Sequence, residues 1–315
     1  MEIHDYKLIR PDAHQIFYDN PYQQIEAIGR TCYKSENNIK EGSCYNFVQN
    51  MIAHKHFAML EHGTLTFKLN GTWMMAQLAA IPYVVTSMGY PGNTWVTVSM
   101  SHLYNPRWKD YPGYSILRAI RKAVETMVDQ EFDWSENAIC KCICVDGYEL
   151  QIEYIAKSKI VDSSIPDKER HMFRSMKFTC DRGVSHELVR HRCAVAQEST
   201  RYCNYTKDKF GGVVTYVEPC NYSEWNDKNR FWFNQIISNS SYAYEIMIKN
   251  GATPQQARAV LPNSLKTDCI LTMSEEQWHH FFDLRMRGTT GAPHPDMKYI
   301  ASIAHEVFYT EGFIA

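Results

Sequence analysis

Two helix-start signals in the C-terminal third constrain the fold of this chain more tightly than any other feature. Thr253 and Gln256 have capping-box spacing, with a proline in the first turn, which predicts a helix that begins there and ends before Pro262. Ser274 and Gln277 repeat that spacing directly ahead of the segment WHHFFDLRMR. The sequence therefore predicts a second helix that begins at Ser274.

The second predicted helix carries an arginine on its apolar face. Trp278, Phe281 and Phe282 define that face, and the helical period places Arg285 on it. A guanidinium on an apolar stripe is costly unless an anionic or hydrogen-bonding group meets it. The pattern is compatible with a bound ligand, with a structural salt bridge and with a side chain whose head group reaches water.

Helix and strand patterns are mixed along the rest of the chain. We expect helices at 22–34, 43–54, 113–129 and 184–192, and strands at 63–69, 93–100, 138–145 and 171–180. Residues 161–170 have the composition of an exposed connection. This mixture predicts an α/β fold class of the mixed α+β kind.

The composition is that of a globular chain without a global charge field. The 315 residues include 33 Lys+Arg and 35 Asp+Glu, which favours neither nucleic acid nor a membrane surface as a partner. No apolar run approaches the ~18–20 residues of a membrane span, and the first residues lack a secretory pattern. With ten scattered cysteines, this indicates a reducing cytoplasm.

Patterns that would indicate a metal site are weak. The segment CKCIC places three thiols on one face of a strand, whereas zinc sites usually use C-x-x-C, so core-facing small residues are the favoured interpretation. Two histidine pairs occur without an H-E-x-x-H motif. We therefore expect no metal at these residues: Cys140, Cys142, Cys144, His54, His56, His279 and His280.

Cationic side chains are concentrated in residues 182–205, RGVSHELVRHRCAVAQESTRYCNY. Guanidinium groups bind phosphate with a two-pronged geometry, so Arg190, Arg192 and Arg201 suggest a phosphate-bearing ligand. On a helix Arg190 and Arg192 would diverge by roughly 200° and could serve two ligands. A solvated basic helix end is the competing interpretation, and RNA is a third that the net charge does not favour.

Three separated segments of the chain resemble the flavin-dependent thymidylate synthases. RHRCAVAQESTRY is similar to that family's signature, with a loop before the serine that is one residue shorter. GRTCYKS followed by HFAMLEHGTLTF is similar to the family's N-terminal segments. ARAVLP and HHFFDLRMRGTTGAPHPDM resemble its C-terminal pattern. The three segments occur in family order.

The resemblance implies a fold, an assembly and a reaction. The fold would be a flavin-dependent thymidylate synthase-like domain over residues 1–315, with a central sheet, flanking helices and an inserted subdomain at about 71–170. The enzyme, a homotetramer, would methylate dUMP to dTMP with methylenetetrahydrofolate as carbon donor and NADPH as reductant, through bound FAD. No enzyme cysteine would attack C6 of the pyrimidine: a flavin-centred mechanism would replace that attack, and positioned arginines would polarise the uracil ring.

The resemblance also implies a role for each residue that matches the family's motifs. Arg285 and Ser199 would be catalytic, with Arg285 against the uracil ring. Residues that bind the cofactor would be His56, Ala58, Arg190, His191, Arg192 and His280. Residues that bind the substrate would be Glu187, Arg190, Gln197, Glu198, Ser199, Thr200, Arg201, Arg258 and Arg285. No metal is implied.

Two other functions share these residues. A flavin-dependent pyrimidine hydroxymethylase would use the same arginines with a different outcome at C5, and the mass of its product would reveal it. A nucleotide-binding protein without catalysis would follow if the changes around the flavin abolished cofactor binding. Ser274 and Glu276 stand where the family has Asn and Arg, and Ala58 stands where it has a hydroxyl.

Overall fold

The computed structural model describes residues 5–314; the side chains of residues 141–144 lie outside that description. The strands are β1 (Lys7–Ile9), β2 (Asp12–Ile16), β3 (Thr64–Asn70), β4 (Val85–Gly89), β5 (Asn93–Ser99), β6 (Ala138–Val145), β7 (Tyr148–Ile155), β8 (Phe173–Asp181), β9 (Ala194–Gln197), β10 (Thr215–Val217) and β11 (Lys266–Ser274). The α-helices are α1 (Pro21–Cys32), α2 (Ser43–Ala53), α3 (Met75–Ala79), α4 (Met100–Tyr104), α5 (Tyr114–Asp129), α6 (Lys168–His171), α7 (Arg182–Leu188), α8 (Asp227–Lys249), α9 (Pro254–Ala257), α10 (Glu275–Phe282) and α11 (Pro295–Thr310).

Two antiparallel sheets form most of the β-structure. The four-stranded sheet has the order β2-β8-β11-β9, and the five-stranded sheet has the order β4-β5-β3-β7-β6. A short parallel pair joins β1 to β10. The fold class predicted from the sequence, mixed α/β, is confirmed.

The four-stranded sheet is central and has helices on both faces. Alternate side chains of a strand point to opposite faces, and β11 follows this rule. Ile270 packs with Ile28 of α1 on one face, whereas Leu271 packs in a cluster with Phe281 of α10 and Phe308 of α11 on the other. The predicted arrangement of a central sheet with flanking helices is therefore confirmed.

The five-stranded sheet mixes residues from inside and outside the predicted insertion. Strand β3, which precedes the insertion, lies between β5 and β7, which belong to it. Hydrophobic side chains of this sheet, such as Phe67, Val96 and Ile152, are buried against α5 through Ile120 and Val124. The division of the chain at about 71–170 stays a prediction.

Local sequence signals explain where several helices begin. The Asn20 side chain accepts hydrogen bonds from the backbone N–H groups of the first turn of α1, a preferred N-cap arrangement. Capping boxes occur at Thr253 ahead of α9 and at Ser274 ahead of α10, as the sequence predicts. Because a cap satisfies backbone donors within a few residues, these starts can be read from sequence alone.

Most of the helices and strands expected from the sequence are present, and two expectations are wrong in detail. The helix expected at 184–192 is α7 and ends at Leu188, because the following residues form a turn and bends that lead into β9. Arg190 and Arg192 therefore do not diverge as helical neighbours. Residues 161–170 are not fully exposed, because Ile165 is buried.

The predicted common face of the CKCIC thiols involves Cys142 and Cys144, whose side chains lie outside the description.

Among the helices of residues 5–314, none combines the length and hydropathy that crossing a bilayer requires.

Candidate functional site

Two residues predicted to bind the nucleotide line a groove of about 330 Å³ at the start of α7. Nη1 of Arg258 donates to Oγ1 of Thr200 at 2.9 Å, although these residues are distant in sequence. Pro262 and Asn263 also line the groove. The groove thus presents a hydroxyl and a guanidinium side by side, a combination suited to phosphate oxygens.

Arg182 also lines this groove and has no role in the sequence-based assignment. Its backbone N–H is fixed by the Asn263 and Leu265 carbonyls at 2.8 and 3.1 Å. Its Nη1 atom is buried and has no hydrogen-bond partner among residues 5–314. A buried donor without a partner costs about 1–3 kcal/mol, so an acceptor placed at this guanidinium would stabilise it. Arg182 is the first residue of the cationic stretch 182–205, so the sequence already offered it as a candidate.

Arg285 does not lie free on an apolar stripe. Its Nη1 donates to Oε2 of Glu187 at 3.0 Å, its Nη2 donates to the Glu187 carbonyl at 3.3 Å, and its Nε donates to Nε2 of His191 at 3.1 Å. The salt-bridge interpretation is therefore present in the structure. A guanidinium has five N–H donors, so two remain for a ligand.

His191 is neutral in this network. Burial, together with the neighbouring Arg285 and His280, lowers the pKa of His191 to about 4. The imidazole Nε2 accepts from Arg285, so its proton lies on Nδ1. A neutral imidazole accepts this bond without repelling the guanidinium, which keeps Arg285 oriented.

A π-helical turn (Asp283–Arg287) places Arg285 differently from the ideal helix that the sequence predicts. The turn adds a residue per hydrogen-bonded ring, so Arg285 does not keep the ideal α-helical spacing from the fully buried Phe281 and Phe282. Gly288 ends the turn at a φ of +71°, and a Cβ there would lie 2.9 Å from both the Gly291 carbonyl and Pro293. Only glycine fits this close return of the chain.

Glu198 belongs to a buried cluster of charges on the α1 side of the central sheet. Its Oε2 lies 2.9 Å from Nζ of Lys266 and 3.3 Å from Nζ of Lys34. Asp268 pairs with the same two lysines and lies 3.6 Å from Nζ of Lys177. Burial alone would raise the pKa of Asp268, but the three ammonium groups outweigh it and lower that pKa. The Glu198 carboxylate therefore forms internal ion pairs with Lys266 and Lys34.

The other predicted nucleotide residues are distributed around these groups. Nε2 of Gln197 donates to Oγ of Ser185 at 2.8 Å. Oγ of Ser199 accepts from the backbone N–H of Arg201 at 3.4 Å. The exposed Arg201 guanidinium lies 5.6 Å from the centre of the Tyr202 ring. Arg201 is not among the residues that line the groove of Arg258.

The predicted cofactor residues do not converge in one cavity of this single chain. His56, Ala58, Arg190 and His280 are exposed. Arg192 alone of the predicted set lines the cavity of about 520 Å³ that lies between the central sheet and the five-stranded sheet. Ser274 and Glu276, which the sequence marks as departures from the family, line that cavity as well.

Among residues 5–314 no group of three or more His, Cys, Asp and Glu side chains is arranged to hold a metal ion.

Comparison with known proteins gives this arrangement a family. Residues 158–309, which contain the groove, the Arg285 network and the cationic stretch, match the family described as thymidylate synthase complementing protein. This part of the chain is similar to that family. The family resemblance of the sequence is therefore confirmed, and the matched residues include strands β8, β9 and β11 of the central sheet, α7 and α10.

Curated relatives of this thymidylate synthase family agree with the match. The flavin-dependent thymidylate synthase of Geobacter sulfurreducens is 38% identical over 105 residues, or 33% of this chain. The flavin-dependent thymidylate synthase of Pyrococcus furiosus is 32% identical over 108 residues, or 34% of this chain. The chain spans 43% of the length of each of these relatives.

A solved structure of a UMP/dUMP methylase PolB from Streptomyces cacaoi, bound with 5-Br UMP, matches 50% of this chain and 84% of its own. Its sequence identity is 17% and its TM-score is 0.36, so this likeness carries no argument about function.

Proposed function

We propose that this protein is a flavin-dependent thymidylate synthase that methylates dUMP to dTMP. Methylenetetrahydrofolate would supply the carbon, NADPH the reducing equivalents and bound FAD the electron transfer between them. The groove of Arg182, Thr200 and Arg258 carries the proposal, because it offers donors for a phosphate within the region that matches the family. We also propose that the active protein is a homotetramer in the cytoplasm.

The groove would bind the 5′-phosphate of the nucleotide. Two guanidinium groups and one hydroxyl face the same 330 Å³ space, and charged donors bind phosphate oxygens about twice as strongly as neutral ones. The buried Nη1 of Arg182 has no partner among the described residues, so a phosphate oxygen would supply what it lacks.

Arg285 would polarise the uracil ring. Glu187 and His191 hold its guanidinium through three hydrogen bonds, which fixes the plane of the group before any ligand binds. Donors fixed in advance stabilise developing negative charge without reorganisation at the moment of reaction. With its two remaining N–H groups, Arg285 would meet the ring oxygen and nitrogen on which charge accumulates as C5 becomes nucleophilic.

The residues present fit a flavin nucleotide in two respects. The cavity lined by Arg192 has a volume of about 520 Å³, within the range of about 300–1,000 Å³ that ligand sites occupy. It also contains a buried hydroxyl, Oγ of Ser101, without a hydrogen-bond partner in the described residues. When bound, FAD would supply the hydride and electron chemistry that no side chain here can provide.

The purified protein is expected to be yellow, or to become yellow with FAD, because Arg192 and its cavity offer a phosphate-binding surface. Visible absorbance after desalting measures the bound flavin directly. A protein that stays colourless with micromolar FAD but still binds dUMP would contradict the enzymatic proposal and favour a nucleotide-binding role.

Arg258→Ala is expected to weaken dUMP binding by about 10- to 150-fold and to leave deoxyuridine binding nearly unchanged. The substitution removes one charge-assisted contact, worth roughly 1.5–3 kcal/mol, to the phosphate alone. Isothermal titration with the nucleotide and the nucleoside measures both affinities. Arg118→Ala, at an exposed position on α5, is the matched control; equal losses for nucleotide and nucleoside would show that Arg258 does not bind phosphate.

A further inference from the structure

The cavity of about 520 Å³ is shared between the family region and the predicted insertion. One wall carries Arg192, Thr272, Ser274 and Gln277, from the end of the cationic stretch, from β11 and from the start of α10. The other wall carries side chains of the insertion: Tyr83, Val85, Ser101, His102 and Arg107. The cavity therefore requires the insertion in order to be enclosed.

Ser101, in the wall formed by the insertion, has a side-chain hydroxyl to which no described residue hydrogen-bonds. Its backbone carbonyl accepts from Nε1 of Trp108 at 3.2 Å and from the Asn105 N–H at 2.9 Å. The residue is 1% exposed and lines the cavity, and its Oγ has no hydrogen-bond partner among the described residues. A buried hydroxyl without a partner costs about 1–3 kcal/mol, which a hydrogen bond to a ligand would recover.

Guanidinium groups face the same cavity from both walls. Nη2 of Arg107 lies 3.6 Å from Oε1 of Glu61, and Nε of Arg170 lies 3.9 Å from Oε2 of Glu276. These pairs are long and about one-third to two-thirds exposed, and such pairs contribute only about 0–1 kcal/mol. Both arginines can therefore exchange a carboxylate for a phosphate, and Arg192 lines the same cavity.

The insertion also presents an aromatic ring at the cavity. Tyr83 is 73% exposed and adopts a φ of +67°, a strained conformation for a residue with a side chain. Its loop is fixed by Nε2 of the buried His102, which donates to the Pro82 carbonyl at 3.0 Å. The His102 ring stacks on Trp108 at 5.0 Å. The loop is thus held where the Tyr83 ring remains open for stacking.

We propose that the insertion forms one wall of a dinucleotide-binding site. Arg107 and Arg192 bind the diphosphate, Oγ of Ser101 hydrogen-bonds the ligand, and Tyr83 stacks on an aromatic ring. The inference rests on the proposed function, which requires two dinucleotides, FAD and NADPH, each with a diphosphate between two ring systems. It gives the insertion a direct role in cofactor binding at a site that also contains family residues.

Ser101→Ala separates ligand binding from folding. The substitution removes a buried hydroxyl that has no protein partner among the described residues, so the melting temperature of the ligand-free protein should stay the same or rise. Affinity for the dinucleotide should fall by about 2- to 12-fold, the loss of one net hydrogen bond. Flavin fluorescence quenching and NADPH fluorescence measure the two affinities. Unchanged affinity for both would overturn the proposal.

Arg107→Ala should lower the affinity for the same dinucleotide by about tenfold or more, whereas Arg118→Ala should not change it. Loss of FAD binding alone identifies FAD as the occupant, and loss of NADPH binding alone identifies NADPH. A loss only for methylenetetrahydrofolate would overturn the dinucleotide assignment. If wild-type protein binds FAD, and Ser101→Ala and Arg107→Ala bind FAD and NADPH as tightly as wild type does, this inference fails and the proposed function stands. If wild-type protein binds neither dinucleotide, the proposed function fails with it.

Discussion

Arg285→Lys is expected to fold, to keep flavin and to lose turnover by ~10²–10³-fold, the usual effect of removing one charge-stabilising donor. Lysine keeps the positive charge but cannot make the three directed bonds to Glu187 and His191 and still present two donors to a ring. Nucleotide affinity should fall much less than turnover, because the contact matters most as charge develops. Single-turnover flavin oxidation measures the effect.

Arg287→Lys is the matched control for this experiment. Arg287 lies on the same π-helical turn, is exposed, and pairs with Asp283 at 2.7 Å. Its replacement should change neither turnover nor melting temperature appreciably. If Arg285→Lys lowers only the melting temperature and leaves turnover per folded molecule intact, Arg285 has a structural role through Glu187 and the proposed contact with uracil is wrong.

Asp268→Asn is expected to destabilise the protein by roughly 3–5 kcal/mol, the cost of removing one partner from a buried ion pair. Lys34 and Lys266 would then keep Glu198 as their carboxylate partner, and Lys177 would lose the carboxylate with which it pairs. A loss of that size is a large fraction of the ~5–15 kcal/mol by which domains are stable. Urea unfolding measures it, with Asp227→Asn as control, since Asp227 is 95% exposed in its pair with Arg230.

The pH dependence of this cluster has a definite sign. The pKa of Asp268 is lowered in the folded protein by the three lysines, so its contribution is fully present above the unfolded value of about 3.9 and is lost as pH falls below it. The difference in unfolding free energy between wild type and Asp268→Asn should therefore be constant from about pH 7 to pH 5 and should shrink below about pH 4. A difference that grows on acidification would contradict the assignment.

The parts of the fold that the sequence predicted are those set by nearby residues. The starts of α9 and α10 follow from capping boxes, in which Thr253 and Ser274 interact with residues of the same turn. Strand β11 was not expected, because it is a buried strand that contains two charged residues, Lys266 and Asp268. Their charges are neutralised by Lys34 and Glu198, which lie far away in sequence.

The residues of the candidate site were likewise predicted only in part from the sequence. The cationic stretch indicated a phosphate ligand, and the structure brings Thr200 and Arg258 together, but it leaves Arg201 outside the groove. Arg182 could have been chosen from its place in that stretch. Ser101 could not, because its burial in the cavity depends on the pairing of β3 with β5 and on the insertion, neither of which local sequence encodes.

The mass of the product formed from dUMP is the decisive test of the proposed methylation. Purified protein is incubated without oxygen with dUMP, FAD, NADPH and methylenetetrahydrofolate labelled at the methylene carbon, and the nucleotides are analysed by mass spectrometry. We expect dTMP with the label in its methyl group, and a loss of this product in Arg285→Lys but not in Arg287→Lys. Hydroxymethylated dUMP, or unchanged dUMP in the presence of bound flavin and nucleotide, would contradict it.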